Sequence, residues 1–405
     1  LCDRRQRQMC IRDSIYCEIL VLGRREMEKR IYLSSPHMGG EEMKYIKEAF
    51  DTNWVAPLGR NVEMFEKEMC AYTGRKQAVA LSSGTAAIHL GLKYLGVKEG
   101  DIVFCSSFTF SGSCNPIAYL GAKPVFIDSD YESYNMSPAA LEKAYEKYPA
   151  PKAVVVVNLY GQPANYEAIL KITRSHGTPV LEDSAESLGA TYTGVQTGNF
   201  GDISIFSFNG NKIITTSGGG MLMCDDEKTK EKVLFWATQS REKFPWYQHE
   251  EIGYNYRMSN ICAGIGRGQL LVLDERVKQK RRIHEIYEEE FKENPYITLV
   301  PKLKGAEPSY WLTGATLTKD AKATFMDVIE ALAENNVESR PAWKPMHTQP
   351  VFKNCDFVSH LEKGSVSEDL FSRSICLPSD SKMTEEEVRY VAKIVNDTVL
   401  EKQKS

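Results

Sequence analysis

From Lys76 onward, short apolar runs alternate with stretches of helical periodicity. "QAVALSS" leads into "GTAAIHLGLKYLG", and "DIVFCSSFTF" leads into a helix expected near 113–120. "PVFIDSD" is followed by "SPAALEKAYEKY", where Ser137 reads as an N-cap with Pro138 at the first helical position. "KAVVVVNLYG" precedes a helix near 165–176, and "TPVLEDSA" then supplies a further strand. Continuous runs such as "AVVVV" are what strands covered on both faces look like. Strand–helix alternation of this kind predicts an α/β fold with a mostly parallel sheet.

Near Asp202 the rhythm changes. "DISIFSF" and "GGGMLMCDD" read as strands with no long helix between them, and one long amphipathic helix is expected over 259–291. Beyond it "YITLVP", "YWLTGATLT", "TFMDVIEALAENN" and a final helix from Thr384 make a smaller α+β region. The expected boundary lies near 285, giving a large domain over 27–285 and a small one over 286–405. Residues 1–26, beginning "LCDRRQRQMCIRDS", lack periodicity and any signal-peptide core, so the native protein is expected to start at Met27 after a non-native or disordered leader.

Composition narrows the function classes. The 405-residue chain is 42% apolar and 26% charged with a net charge of -4, which fits a soluble globular protein with two domains. Nothing in that charge favours nucleic acid, and no apolar run reaches the roughly 18 residues of a membrane span. Ten cysteines show no CxxC pair and seven histidines no ligand spacing, so no metal site is expected. Several cysteines sit in apolar runs, as in "DIVFCSS" and "GGGMLMC", which implies a reducing compartment and cytoplasmic localisation. The basic "KQKRR" run at 278–282 reads as a solvated helix face.

Three segments carry candidate chemistry. "LSSGTAAIHL" puts Ser82, Ser83, Gly84 and Thr85 between a strand and a helix, either as a structural junction or as an anion cradle of open N–H groups and hydroxyls. "LEDSAES" sets Glu182 and Asp183 at the end of a buried strand, where α/β sheets bind ligands, although an N-cap aspartate is the plainer alternative. "FSFNGNKIITTSGGG" carries Lys212, either an exposed turn lysine or an amine that attacks carbonyls once desolvated. An amine, a carboxylate and a phosphate cup together suit pyridoxal 5′-phosphate, with its aldehyde, ring nitrogen and phosphate. Phe110 in "SSFTF" supplies a flat face for such a ring. The three glycines at 218–220 read as turn geometry only.

With these segments, "SSFTFSGSCNPIAYLGAKPVFID", "VNLYGQ", "GNFGDISIFSFNGNKIITTSGGG" and "GYNYRMSNICAGIGRGQL" occur in order. The chain thereby resembles, over about residues 30–400, the DegT/DnrJ/EryC1/StrS sugar-nucleotide aminotransferases of aspartate-aminotransferase-like fold (fold type I). "ESRPAWKPMHTQPVF" at 338–352 suggests the enzymes that aminate UDP-4-keto-6-deoxy-N-acetylhexosamines in bacillosamine and exopolysaccharide pathways. The resemblance implies a homodimer with shared active sites, L-glutamate as donor and a nucleotide sugar as acceptor. It makes Lys212 the Schiff-base lysine and proton carrier. Asp183 becomes the partner of the ring nitrogen, Phe110 the stacking ring, and Glu186 the group near the ring hydroxyl. Gly84, Thr85, Ala86 and Ser207 fall at the phosphate, and Asn255 reaches the neighbouring subunit's phosphate with Arg257 nearby. Arg340, Trp343, Lys344 and His347 are expected at the nucleotide sugar, and Trp54 with Gly59 in a segment closing the cleft. Rival readings are a 3-keto aminotransferase, a dehydratase on the same scaffold, whose lysine would be histidine, and a non-catalytic cofactor-binding regulator.

Overall fold

The apolar runs assemble as the alternation predicts. In the computed structural model, which describes residues 29–404, the strands are β1 (Gln77–Leu81), β2 (Ile102–Ser106), β3 (Lys123–Ile127), β4 (Ala153–Val157), β5 (Val180–Asp183), β6 (Thr191–Tyr192), β7 (Val195–Gln196), β8 (Ile203–Ser207), β9 (Gly220–Cys224), β10 (Ile297–Leu299), β11 (Ala306–Glu307), β12 (Thr313–Leu317), β13 (Arg340–Pro341), β14 (Phe357–Val358) and β15 (Ser374–Leu377). The leader expected over 1–26 lies outside the described residues. The main sheet has the order β1-β9-β8-β5-β4-β2-β3-β14. Its neighbours are parallel except around β9, which runs antiparallel to both β8 and β1. That places the change of rhythm after Asp202 in the one reversed strand.

β4 is buried at every position because helices cover both faces of the sheet. Val155 faces one core with Leu181, Ile203 and the helix Gly84–Tyr94. Val154 and Val156 face the other, with Ile169 and Ala140. Burying each such aliphatic side chain contributes roughly 1.5–3 kcal/mol. Ser137 caps its helix as expected, accepting from the Ala140 N–H at 3.2 Å.

The single helix expected over 259–291 is two helices, Asn260–Leu270 and Leu273–Phe291. Packing explains the break. The first helix lies flush on residues 42–45, where a Cβ at Gly268 would come within 2.7 Å of the Glu42 backbone nitrogen. The second starts on a core against the main sheet through Leu273 and Val277 and ends in a different core through Ile283, Ile286, Tyr287 and Phe291. One straight rod cannot serve both. Residue 285, the expected boundary, falls within this bridging helix.

The C-terminal core lies on a second sheet, β10-β12-β15-β13, covered by Phe325–Glu334, Glu385–Lys404 and the bridging helix. The chain crosses back twice: Ile31 bridges Val337, and β14 joins the edge of the main sheet beside β3. Lys280, at the centre of the "KQKRR" run read as a solvated face, is 2% exposed, because its side chain points into the seam between the two cores. Among the described residues no helix is long and apolar enough to cross a membrane.

Candidate active site

The cleft opens where β5 and β8 end and where the chain turns from β1 into a helix, as expected for an open α/β sheet. Its volume is about 390 Å³, and Gly84, Thr85, Phe110, Asp183, Glu186, Ser207 and Lys212 all line it. Trp343, from the C-terminal part, closes one side.

The anion cradle follows from helix capping. Ser83 is the N-cap of Gly84–Tyr94; its Oγ accepts from the Ala86 N–H at 3.0 Å and its carbonyl from the Ala87 N–H at 3.1 Å. The N–H groups of Gly84 and Thr85 have no acceptor among the described residues and, with the helix dipole, favour an anion there. Ser207 adds a hydroxyl, brought close because Gly84 has no side chain: a Cβ there would sit 3.1 Å from Ser207 Cβ. Ala86, expected at the phosphate, has its N–H committed to the cap instead. The glycines after Lys212 do more than turn the chain. Gly218 and Gly219 line the cleft, and a Cβ at Gly220 would fall 2.4 Å from the Gly84 nitrogen, so β9 presses on the cradle from behind.

Strand alternation separates the two acids of "LED". Glu182 accepts from the N–H groups of Gly198 (2.6 Å), Phe200 (2.8 Å) and Gly201 (3.1 Å), and ties down the loop before β8. Asp183 turns to the cleft and is 4% exposed. Ser113 Oγ donates to it at 2.7 Å and the Ala185 N–H at 3.1 Å; no ion pair reaches it among the described residues. Burial holds its carboxyl above the usual range, against those two hydrogen bonds and the charge of Lys212.

Lys212 is not an exposed turn lysine. Its Nζ lies 3.6 Å from Glu186 Oε1 and 3.7 Å from the centroid of the Trp311 ring. Burial lowers its pKa, opposed by Glu186 and Asp183, so the neutral, nucleophilic amine becomes more accessible. Burial raises the Glu186 carboxyl in turn, opposed by Lys212 and by the Tyr160 N–H at 2.7 Å. Tyr160 adopts a positive φ of 53°, and its hydroxyl accepts from the Trp343 N–H at 2.9 Å, so one strained residue links the carboxylate to the aromatic wall. Phe110 is 53% exposed, its ring 5.4 Å from that of Trp343.

Other expected residues lie elsewhere. Arg257 is bonded to Glu66 and, at 3.0 Å, to the Ala80 carbonyl, holding β1 rather than a ligand. His347 bonds Ser107 (2.7 Å) and Glu368 (3.1 Å) and stacks on Phe357 at 3.7 Å, which fastens its segment to the main sheet. Arg340 pairs with Glu338, and Lys344 is exposed away from the cleft. Trp54 is exposed, and Gly59 packs on Asn260. Asn255 is exposed, bridging Thr238. Ser113, Tyr160 and Trp311 were missed: only the positions of Ser113 in the quoted "SSFTFSGSC" run and of Tyr160 in "VNLYGQ" hinted at a role.

The donor set fits pyridoxal phosphate: a desolvated amine for the aldehyde, a buried carboxylate lacking a cation for the ring nitrogen, and two open N–H groups with a hydroxyl for the phosphate. Fold and cleft together define a pyridoxal phosphate enzyme of aspartate-aminotransferase-like architecture. The chain belongs to the DegT/DnrJ/EryC1/StrS aminotransferase family, whose model matches residues 36–396. Its cofactor is pyridoxal phosphate and its chemistry amino transfer. It is 53% identical over 373 residues to EpsN of Bacillus subtilis strain 168, provisionally named a pyridoxal phosphate-dependent aminotransferase, covering 91% of this chain and 96% of EpsN. It is 36% identical to the GDP-perosamine synthase of Escherichia coli O157:H7, covering 91% and 98%. Among solved structures, Helicobacter pylori PseC shares the fold at a TM-score of 0.85 and 24% identity, covering 92% of this chain and all of that one.

Proposed function

We propose that this chain moves the amino group of L-glutamate to C4 of a nucleotide-linked 4-keto-6-deoxy sugar, a UDP-N-acetylhexosamine, for surface polysaccharide or glycan biosynthesis. The observation that carries amino transfer is the buried triad of Lys212, Glu186 and Asp183 beside an open helix N-terminus. The sugar acceptor is supported by two of the relatives: GDP-perosamine synthase and, at 30% identity, a dTDP-4-dehydro-2,3,6-trideoxy-D-glucose 4-aminotransferase of Saccharopolyspora spinosa, which favours C4 over C3.

When bound, the cofactor supplies an electron sink that stabilises a carbanion next to the transferred nitrogen. Lys212 would hold the aldehyde end and, once free, take up and return the proton of the carbon bearing the amine. Asp183 would keep the ring nitrogen charged, Gly84, Thr85 and Ser207 would hold the phosphate, and Phe110 would cover one ring face. Glu186, 3.6 Å from Nζ, would balance the amine's charge. Trp343 would border the sugar.

The active form would be a homodimer with shared sites. Trp54, Val55, Leu58, Phe244, Trp246 and Ile252 are exposed apolar side chains on loops outside the cleft, which supports an interface. Asn255, exposed and away from its own cleft, would then serve the partner's phosphate, and Asn255→Ala should loosen cofactor retention without unfolding the chain.

Incubation with glutamate and a panel of UDP-, dTDP- and GDP-linked 3-keto and 4-keto sugars, with products identified by NMR, tests the reading. Amination of a UDP-linked 4-keto sugar is the expected result; conversion of 3-keto sugars alone would overturn it.

A further inference from the structure

Lys280 is a buried amine that amino transfer does not call on. Its Nζ donates to three neutral oxygens: Ser379 O at 2.6 Å, Trp311 O at 3.0 Å and Ser34 Oγ at 3.2 Å. Among the described residues it makes no ion pair, and burial brings its pKa down to about 7, against the pull of Asp380. A methionine would fill the same space without desolvating an amine, so the function of this amine is sought in what its hydrogen bonds hold.

Those bonds lead to the cleft along two short routes. Trp311, whose carbonyl Lys280 holds, lays its ring 3.7 Å from Lys212 Nζ. Ser34, which Lys280 also holds, donates to the Asn211 carbonyl at 2.9 Å, and Trp311 Nε1 donates to that same carbonyl at 2.6 Å. Asn211 immediately precedes Lys212. One lysine, carried on the bridging helix, therefore fixes both the aromatic cover of the catalytic amine and the backbone from which that amine springs.

We propose that Lys280 is a positioning residue for Lys212, acting through Trp311 and Ser34, so that the reactivity of the catalytic amine depends on how the small domain seats against the large one. The proposal rests on the reading of Lys212 as the covalent amine. Trp311 is 1% exposed and forms part of the burial that lowers the Lys212 pKa. Freeing the ring admits water, which favours the ammonium, and removes a ring face that also favoured it; since burial is the largest influence on Lys212, the pKa rises.

The test is competitive labelling of the full-length, cofactor-free chain with trace acetic anhydride across pH, with the Lys212 peptide quantified by mass spectrometry. Lys280→Met and Trp311→Leu should each raise the apparent pKa of Lys212 by about one unit, a tenfold loss of neutral amine at neutral pH, and the double variant should raise it no further. A Lys280→Met chain that folds but titrates Lys212 as the wild type does, or effects that simply add, would overturn the proposal. If Lys280→Met does not fold, Ser34→Ala decides: a smaller shift in the same direction supports it, and no shift refutes it. Borohydride that fails to fix pyridoxal phosphate on wild-type Lys212 would instead sink the catalytic reading and leave the labelling result standing.

Discussion

The floor of the cleft and its C-terminal wall are built by different means. The floor consists of strand ends and a helix start, so alternation decides which of Glu182 and Asp183 faces the ligand, and one N-cap serine decides which N–H groups stay open. The wall, 340–347, is mostly irregular chain beyond the two residues of β13, held at a few points: Trp343 by the Tyr160 hydroxyl, His347 by Ser107 and Glu368. Spacing in sequence becomes geometry on the floor. On the wall the same kinds of residue scatter, and only Trp343 reaches the cleft. Chemistry belongs to the first region and placement of the C-terminal segment to the other, and substitutions can separate the two.

The largest effect is expected on the floor. Lys212→Ala should lower kcat for amino transfer by about a thousandfold or more and abolish borohydride-stable attachment of the cofactor, followed by absorbance and peptide mass. A variant that keeps substantial activity would dissolve the distinction between the regions. Asp183→Asn comes next, with about a hundredfold loss of kcat. Its amide oxygen can accept from the Ala185 N–H while its NH2 donates to Ser113 Oγ, so the fold should stand. Because burial raises the folded-state pKa of Asp183, the unfolded chain ionises first as pH rises. The cofactor-free wild type thus loses stability as pH climbs from the ordinary carboxylate value through the raised one, and Asp183→Asn loses less, keeping the share of Glu186, whose carboxyl burial also raises; the gap in melting temperature should widen in the variant's favour over that window.

What was legible in the sequence follows the same division. The strand order's raw material, the Ser137 cap, the Lys212–Asp183–Ser207 set and the cradle at Gly84 all rest on local rules that operate within a strand or one helical turn. Trp311 was not legible, because it comes from the loop before β12 and meets Lys212 only through the docking of two cores. The solvated reading of Lys280 fails for the same reason: a basic run looks identical whether one of its members faces water or a seam between two cores. Arg257 reads as a ligand-binding arginine until Glu66, 191 residues away, appears beside it. The break at 271–272 was invisible because both helices are amphipathic and only their different cores tell them apart.

On the wall, smaller and different effects are expected. His347→Ala removes a stacked ring and two hydrogen bonds that fasten β14's approach to the main sheet, and should cost about 1–3 kcal/mol in denaturant unfolding with little change in kcat. A raised KM for the nucleotide sugar at unchanged stability would return His347 to the diphosphate role that the resemblance implied.

Arg340→Ala should do least. Its side chain is 61% exposed and pairs with Glu338 at 2.8 Å, an arrangement worth about 0–1 kcal/mol and screened by salt. If the wall only positions Trp343, stability, kcat and KM should all stay near wild type at physiological ionic strength. If instead the partner subunit or a closing movement brings this face to the diphosphate, KM alone should rise several-fold, and the rise should shrink as salt is added. A salt-sensitive KM with unchanged kcat would make the wall a binding surface, narrowing its difference from the floor to one of timing: residues set in place before the ligand arrives against residues brought to it afterwards.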